Sequence, residues 1–431
     1  MNLKTRARSM AMRHFASAAY LEKLRDKARK QRIDQGDPPA VLYFHQVDDP
    51  YSHLAVQKLD RLKARYHIAF KHHLTTAADA EYQGSAAHYN QWALRDALAV
   101  APDYGTQFAP ALDTPTAANV NLANRVLTAH LDQNDFATAA IQVGEALWGN
   151  KSIAPIASSS DCERAVATGN QLRERLGHYQ GGMFYFEGEW FWGIDRIRLL
   201  EQRLAAEGFD SASGASCVSE PDAEPMAGKS AAGVLLEYFP SLRSPYTAIG
   251  HQRVLDLIAT TGVEVQVKPV MPMLMRGIPA PRAKQRYIIT DAAREGRQCG
   301  APFGRIVDPF GEPVKRAFSL FPGAQAQGRA LEFVTAYLNA AWFEGIDITG
   351  DAGLSQVAAR AGLDWSALQD SSQVTDWQTL LTDNLSQLTD QSLWGVPSFR
   401  VSGGSRSSTY ACWGQDRIWR VASEIARRAS N

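Results

Sequence analysis

The sequence predicts two α/β domains in tandem, each a mixed sheet with an α-helical insertion. Three observations predict it. First, a short apolar run followed by Pro-Tyr occurs twice: Val41-Leu42-Tyr43-Phe44 before Pro50-Tyr51, and Val234-Leu235-Leu236-Glu237-Tyr238-Phe239 before Pro245-Tyr246. Second, two closing segments match: Gly181-Gly182-Met183-Phe184-Tyr185-Phe186 with Trp192-Gly193-Ile194-Asp195-Arg196-Ile197, and Gly395-Val396-Pro397-Ser398-Phe399-Arg400-Val401 with Trp413-Gly414-Gln415-Asp416-Arg417-Ile418. Third, residues 207–233 between the halves are rich in Gly, Ser, Ala, Pro and acidic residues, which is linker composition. With 431 residues in total, each half is long enough to bury its own core.

The elements follow in order. Residues 1–37 form a basic helical arm carrying Lys4, Arg6, Arg8, Arg13 and a basic run from Lys23 to Arg32. It lacks the continuous apolar stretch of a secretory signal. It reads as a solvated helix rather than a membrane-surface one, because Met10, Phe15, Tyr20 and Leu24 give only a weak apolar face. Residues 38–206 and 234–431 are the two domains. Each opens strand, tight turn, helix, with proline at the first helical position, where a missing N–H costs nothing. A second strand follows each helix, at residues 67–72 and 263–269. Long helical middles come next, each with a matched tryptophan, Trp148 and Trp342, read as core packing. A hairpin and a terminal helix close each half. That order suits a mixed sheet covered by helices.

Composition narrows the functions. Lys plus Arg and Asp plus Glu both number 45, so no global charge advertises nucleic acid or an anionic membrane. No apolar run approaches the roughly 20 residues of a membrane span, so no stable membrane insertion is expected. The four cysteines, Cys162, Cys217, Cys299 and Cys412, lie far apart and form no C-x-x-C pair. That argues against a disulfide framework or a cysteine-rich metal site, and it fits a reducing, cytoplasmic compartment. Gly228-Lys229-Ser230 is not a phosphate loop, since Ala223 stands where the earlier glycine is needed.

The second half, from about Val234 to Arg428, resembles 2-hydroxychromene-2-carboxylate isomerase and the kappa-class glutathione transferases, which belong to the DsbA-like branch of the thioredoxin fold. Four marks in family order carry the resemblance: Ser244-Pro245-Tyr246, Ala341-Trp342-Phe343-Glu344-Gly345-Ile346-Asp347-Ile348, Gly395-Val396-Pro397-Ser398-Phe399, and Trp413-Gly414-Gln415-Asp416-Arg417. The resemblance implies two thioredoxin-like domains, with glutathione as cofactor. It implies a small electrophilic substrate, an aromatic one included, and isomerase or transferase chemistry. It also implies a dimer, built from two copies or from the two halves of one chain.

The resemblance gives Ser244 the catalytic place, facing the glutathione sulfur. A hydroxyl donates to a thiolate. The unpaired N–H groups of a helix start favour an anion, and both effects lower a thiol pKa. The bland reading is an ordinary N-cap serine. Val396-Pro397 resembles the cis-proline loop, whose exposed backbone pairs strand-like with the cysteinyl unit. Gln415 and Asp416 are the implied holders of the γ-glutamyl end, the bland reading being a helix cap. Residues 271–287 are expected to overhang the site, and Lys284 is the residue taken from them to bind the glycine carboxylate or an acidic substrate. A solvated loop is the alternative there.

The first half departs from the pattern. Asp49 stands at the Ser244 position, Gly182 at the Pro397 position and Ile194 at the Gln415 position. An ionised carboxylate accepts only and repels a thiolate, so this half is expected to be structural. Two other functions remain for the chain. A thiol–disulfide oxidoreductase needs a low-pKa cysteine at the Ser244 position, and neither half has one. A non-catalytic binding scaffold needs no such residue.

Overall fold

The structure, a computed structural model, describes residues 1–84, 86–108, 114–154, 157–211, 215–374 and 376–430. The chain divides into two compact units. One comprises Met1–Tyr20, Asp222–Ala280 and Gln285–Asn431, and the other Leu21–Pro221 and Pro281–Lys284.

Each unit is built on one four-stranded mixed sheet. In the first half, β1 (Ala40–His45), β2 (Ala69–Leu74), β3 (Met183–Phe186) and β4 (Glu189–Trp192) lie in the order β2-β1-β3-β4. In the second, β5 (Val234–Phe239), β6 (Glu264–Val267), β7 (Ser398–Gly403) and β8 (Tyr410–Trp413) lie in the order β6-β5-β7-β8. The second strand of each half pairs parallel to the first, and the third pairs antiparallel to it. A parallel neighbour requires a crossover helix. The Pro-Tyr segments supply it through the helices beginning at Pro50 and at Pro245, the latter spanning Pro245–Thr261. The chain therefore contains two thioredoxin-like domains in tandem, as predicted.

The central strands are buried on both sides and carry the same aromatic pair. Tyr43 lies opposite Phe184 with ring centroids 4.6 Å apart, and Tyr238 lies opposite Phe399 at 5.5 Å. The two tryptophans are core residues, as expected. Trp342 is fully buried and donates its indole N–H to the Leu242 carbonyl at 3.1 Å, while Trp148 is buried in the first half.

The arm is helical, as Leu3–Ala16 and Ala18–Asp34, and Arg6 is exposed, but Arg8, Arg13, Arg25, Arg29 and Arg32 are engaged with the fold. In the C-terminal unit, Arg8 Nε donates to Asp308 at 2.8 Å, Arg13 Nε donates to the Ile306 carbonyl at 2.8 Å, and the Asp308 N–H donates to Ser9 Oγ at 2.9 Å. Met12, Phe15 and Ala16 join that unit's core. In the other unit, Arg25 pairs with Glu189 while Arg29 and Arg32 both pair with Glu187. Lys23, Lys27 and Lys30 stay exposed. The split has a physical reason: the guanidinium fork matches a carboxylate, whereas a strongly hydrated ammonium is better left in water. Among the described residues, no helix is long and apolar enough to cross a membrane.

The predicted linker has each end fastened to its own unit, apart from residues 212–214, which lie outside the described residues. Asp210 pairs with Arg65 at 2.9 Å, and Glu201 accepts from the Cys217 and Val218 N–H groups at 2.6 and 2.9 Å. Farther along, the Glu224 N–H donates to Ser423 Oγ at 2.9 Å.

Candidate functional site

Ser244 sits where the chain leaves β5 and enters the helix Pro245–Thr261. Its extended backbone makes it the N-cap: Oγ accepts the Thr247 N–H at 3.1 Å. The same hydroxyl donates to the Val396 carbonyl at 3.4 Å. That is long for an O–H···O bond, so the proton is loosely held and can turn to a stronger acceptor.

The turn before Ser244 is fixed from several sides. Trp342 holds the Leu242 carbonyl, and the Val270 N–H donates to the Pro240 carbonyl at 2.9 Å. Arg243 donates to Asp308 through Nε at 2.7 Å and Nη2 at 3.3 Å, and its guanidinium lies over the Phe310 ring at 4.7 Å. Asp308 is wholly buried and also takes Arg8. Two guanidiniums on one buried carboxylate satisfy a charge that would otherwise be costly there.

The facing wall is Val396-Pro397, the one cis peptide among the described residues. The Pro397 carbonyl accepts the Gly414 N–H at 2.9 Å, which ties this loop to the short 3-10 turn Gln415–Arg417. The Trp413 indole lies directly on Gly395, where an added Cβ would fall 1.9 Å from Cε2. Trp394 packs on Trp413 with centroids 4.7 Å apart.

The structure thus brings Ser244, Val396 and Pro397 together, with Asp416 on the adjoining turn. It treats Gln415 and Lys284 differently from what the resemblance implied. Gln415 is 1% exposed; its amide N–H reaches Glu295 at 3.3 Å and also Asp416, while Arg253 donates to its backbone carbonyl and to Oε1. Its polar groups are spent inside the fold, which makes it a support for the half-buried Asp416. Lys284 falls in the other unit, donates to the Tyr82 carbonyl, and has its ammonium lowered to about 8 by burial. The basic residue that reaches the cis-proline loop is Arg276, whose Nη2 donates to the Trp394 carbonyl at 2.6 Å.

Sequence reasoning missed a further pair. The Tyr246 hydroxyl donates to buried Asp291 at 2.8 Å, and in the first half the Tyr51 hydroxyl donates to buried Asp96 at 2.7 Å. Both partners are 45 residues apart. The spacing was a readable signal, since Asp49/Ser244, Tyr51/Tyr246 and Asp96/Asp291 share one offset between the halves.

The first half repeats this framework around a different residue. Asp49 caps its helix with φ −102° and ψ 117°, against −103° and 120° for Ser244. It accepts the Ser52 N–H at 2.8 Å and the Ser52 hydroxyl at 2.7 Å. Burial raises its carboxyl to about 6 despite those hydrogen bonds, which favour the charged form. The Gly182 carbonyl accepts the Gly193 N–H at 2.8 Å, the counterpart of Pro397 and Gly414. Gly182 has φ 63°, and a Cβ there would stand 2.9 Å from Asp49 Oδ2. Backbone has closed onto the carboxylate.

No cysteine stands at either helix start, and none of the four cysteines is in a disulfide. Among the described residues, no cluster of His, Cys, Asp or Glu is arranged to hold a metal ion.

Residues 235–426 match the DSBA-like thioredoxin domain family, so the C-terminal half is a DsbA-like thioredoxin domain. No curated protein matches the chain. Among solved structures, a 2-hydroxychromene-2-carboxylate isomerase is similar at 19% identity, covering 45% of this chain and 95% of that one, with a TM-score of 0.37. The cytosolic disulfide reductase DsbM from Pseudomonas aeruginosa is similar at 17% identity, covering 45% and 98%, with a TM-score of 0.36. The oxidoreductase DsbA from Xylella fastidiosa is similar at 15% identity, covering 49% and 93%, with a TM-score of 0.30.

Proposed function

We propose that the C-terminal domain binds glutathione and acts, as an isomerase or transferase, on a small electrophilic substrate, an aromatic one included, in a reducing cytoplasmic setting. The observation that carries this reading is the Ser244 hydroxyl, held at a helix N-terminus with only a 3.4 Å contact to the Val396 carbonyl to occupy its proton. The residues fit the cofactor in three respects. A hydroxyl with a weakly engaged proton suits a sulfur anion. The helix start adds partial positive charge at the same point. The Val396 backbone beside it offers strand-like pairing to a peptide.

Glutathione held here would supply a thiolate nucleophile for an electrophilic carbon, which either an isomerase or a transferase requires. Ser244 donates its hydroxyl hydrogen to the sulfur and keeps it deprotonated near neutral pH. Val396 and Pro397 align the cysteinyl unit. Asp416 receives the ligand's ammonium, and Gln415 holds Asp416 in place. Disulfide exchange does not suit this site, because a hydroxyl stands where the attacking thiolate would have to be. The first domain is read as structural.

Thermal melts with millimolar glutathione test binding, since a ligand of the native state raises its stability. The ultraviolet absorbance of bound thiolate tests the role of Ser244. The wild type should be stabilised and show thiolate at neutral pH, and Ser244→Ala should lose the thiolate signal. Absence of any stabilisation in the wild type would overturn the reading.

A further inference from the structure

We propose that the arm helix Leu3–Ala16 is built into the Ser244 cleft, and that Arg8 is its positioning residue, acting on Ser244 through Asp308 and Arg243. The chemical meaning of that role rests on the reading of Ser244 as the hydroxyl that meets the ligand. The family match begins at residue 235, so the arm lies outside the domain that the family shares. Arg8 and Asp308 are 300 residues apart in sequence, yet Arg8 Nε donates to Asp308 Oδ2 at 2.8 Å. The other oxygen, Oδ1, takes Arg243 Nε at 2.7 Å, and Arg243 Nη2 reaches Oδ2 at 3.3 Å. The Phe310 ring lies against both guanidiniums, 5.3 Å from that of Arg8 and 4.7 Å from that of Arg243. Arg243 directly precedes Ser244.

Residues 303–310 contain no helix or strand, and buried backbone of that kind must find its hydrogen-bond partners elsewhere. The Val307 N–H donates to the Ala341 carbonyl at 2.7 Å. The arm supplies three other partners. Arg13 Nε donates to the Ile306 carbonyl at 2.8 Å, Ser9 Oγ accepts the Asp308 N–H at 2.9 Å, and Arg8 Nη2 donates to the Phe310 carbonyl at 3.2 Å. A carboxylate gripped at one oxygen by Arg8 and at the other by Arg243 has its plane fixed. Releasing Arg8 lets Asp308 turn and the Arg243 fork turn with it. The Ser244 turn then loses one side of its frame, on which the 3.4 Å contact from the Ser244 hydroxyl to the Val396 carbonyl depends. Trp342 holds the Leu242 carbonyl without help from the arm, so the domain itself should stay folded.

Hydrogen exchange on the full chain, read by mass spectrometry, tests the linkage without any ligand. The N–H groups of Ser241, Ser244, Thr247 and Ala248 report on the turn, being bonded to Thr247 Oγ1, the Ser241 carbonyl, Ser244 Oγ and the Ser244 carbonyl. Arg8→Ala should speed exchange over residues 241–248 by roughly tenfold or more, the scale of losing a hydrogen bond to a charged group. Arg8→Lys should restore part of the protection, and Arg6→Ala, at an exposed position of the same helix, should change nothing. In an Arg243→Ala background, Arg8→Ala should add nothing at 241–248 while still loosening 303–310, because the path runs through Arg243. Unchanged exchange at 241–248 in a folded Arg8→Ala protein, or an equal further gain in the Arg243→Ala background, overturns the proposal. Melting curves check folding; if Arg8→Ala does not fold, faster exchange at 241–248 in Arg8→Lys supports the proposal and the wild-type rate overturns it. With glutathione bound, Arg8→Ala should move the midpoint of the thiolate titration up by about one pH unit, the scale of one weakened hydrogen bond, and an unmoved midpoint overturns the positioning role. A wild type that binds no glutathione sinks the reading of the cleft, and the exchange result still decides this proposal. Glutathione binding with exchange at 241–248 indifferent to Arg8 does the reverse.

Discussion

Ser244 and Asp49 cap their helices with nearly the same backbone, and part of the hydrogen bonding around them corresponds. In both halves a tyrosine two residues later reaches a buried aspartate, and the carbonyl of the facing loop takes a glycine N–H. The surroundings nevertheless differ. Beside Ser244 stands Val396-Pro397, with a hydroxyl whose proton is loosely engaged. Beside Asp49 stands Gly182, whose backbone leaves no room for even a Cβ. A thioredoxin-like frame is therefore kept by contacts that do not depend on the cap side chain, while the chemistry depends on that side chain and on the space opposite.

The comparison is broken most directly by exchanging the caps. Ser244→Asp gives the second domain the first domain's residue. Aspartate caps a helix as well as serine does, so the fold should persist. Glutathione-dependent turnover should fall roughly 10²-fold or more, because a hydrogen-bond donor becomes a repelling acceptor. Asp49→Ser should add no activity. Turnover assays on both variants check this, and an active Ser244→Asp enzyme would mean that the cap does not carry the chemistry.

Gly182→Ala comes next. It places a Cβ against Asp49 at a positive φ, so the first unit should lose about 2–4 kcal/mol, read from its transition in urea unfolding. An unchanged transition would show that the first cleft is open after all.

Asp49→Asn sharpens the electrostatic difference. The folded carboxyl titrates at about 6, against an ordinary 3.8. The folded state therefore binds the Asp49 proton more tightly than the unfolded chain. Its contribution to stability is full below the unfolded pKa, declines as pH rises through the folded value, and is lost above it. Asparagine keeps the cap without the charge. It should stabilise the first unit by about 1–3 kcal/mol at neutral pH and leave it unchanged near pH 4, by unfolding at the two pH values.

The smallest expected effect tests what the halves share. Tyr51→Phe and Tyr246→Phe should each cost about 1–2 kcal/mol in their own unit, since each leaves a buried aspartate short of one donor. Unequal costs would show that the shared geometry hides different packing.

Much of this was written locally. The strand, turn and proline signals at Pro50 and Pro245 fixed both crossover helices, and Val396-Pro397 and Ser244 were named from short motifs. The misplacements concern side chains whose direction depends on distant partners. Lys284 and Arg276 lie in one basic segment and look alike there, yet only the fold decides which one meets Trp394. Gln415 reads as a free polar residue until Arg253 and Glu295 arrive from elsewhere in the chain. Arg8 and Arg32 of the arm read as solvated because Asp308 and Glu187 lie far off in sequence.

The sequence by itself determined the duplication, the order of strands and helices, and the cap residue of each half. These follow from period, turn chemistry and residue type within a few positions. Only the tertiary structure decided that the first cleft is closed, that Arg276 and not Lys284 faces the cis-proline loop, and that the arm is docked. Those outcomes depend on burial, which pairs some charges and strands others. Burial belongs to residues brought together from across the chain.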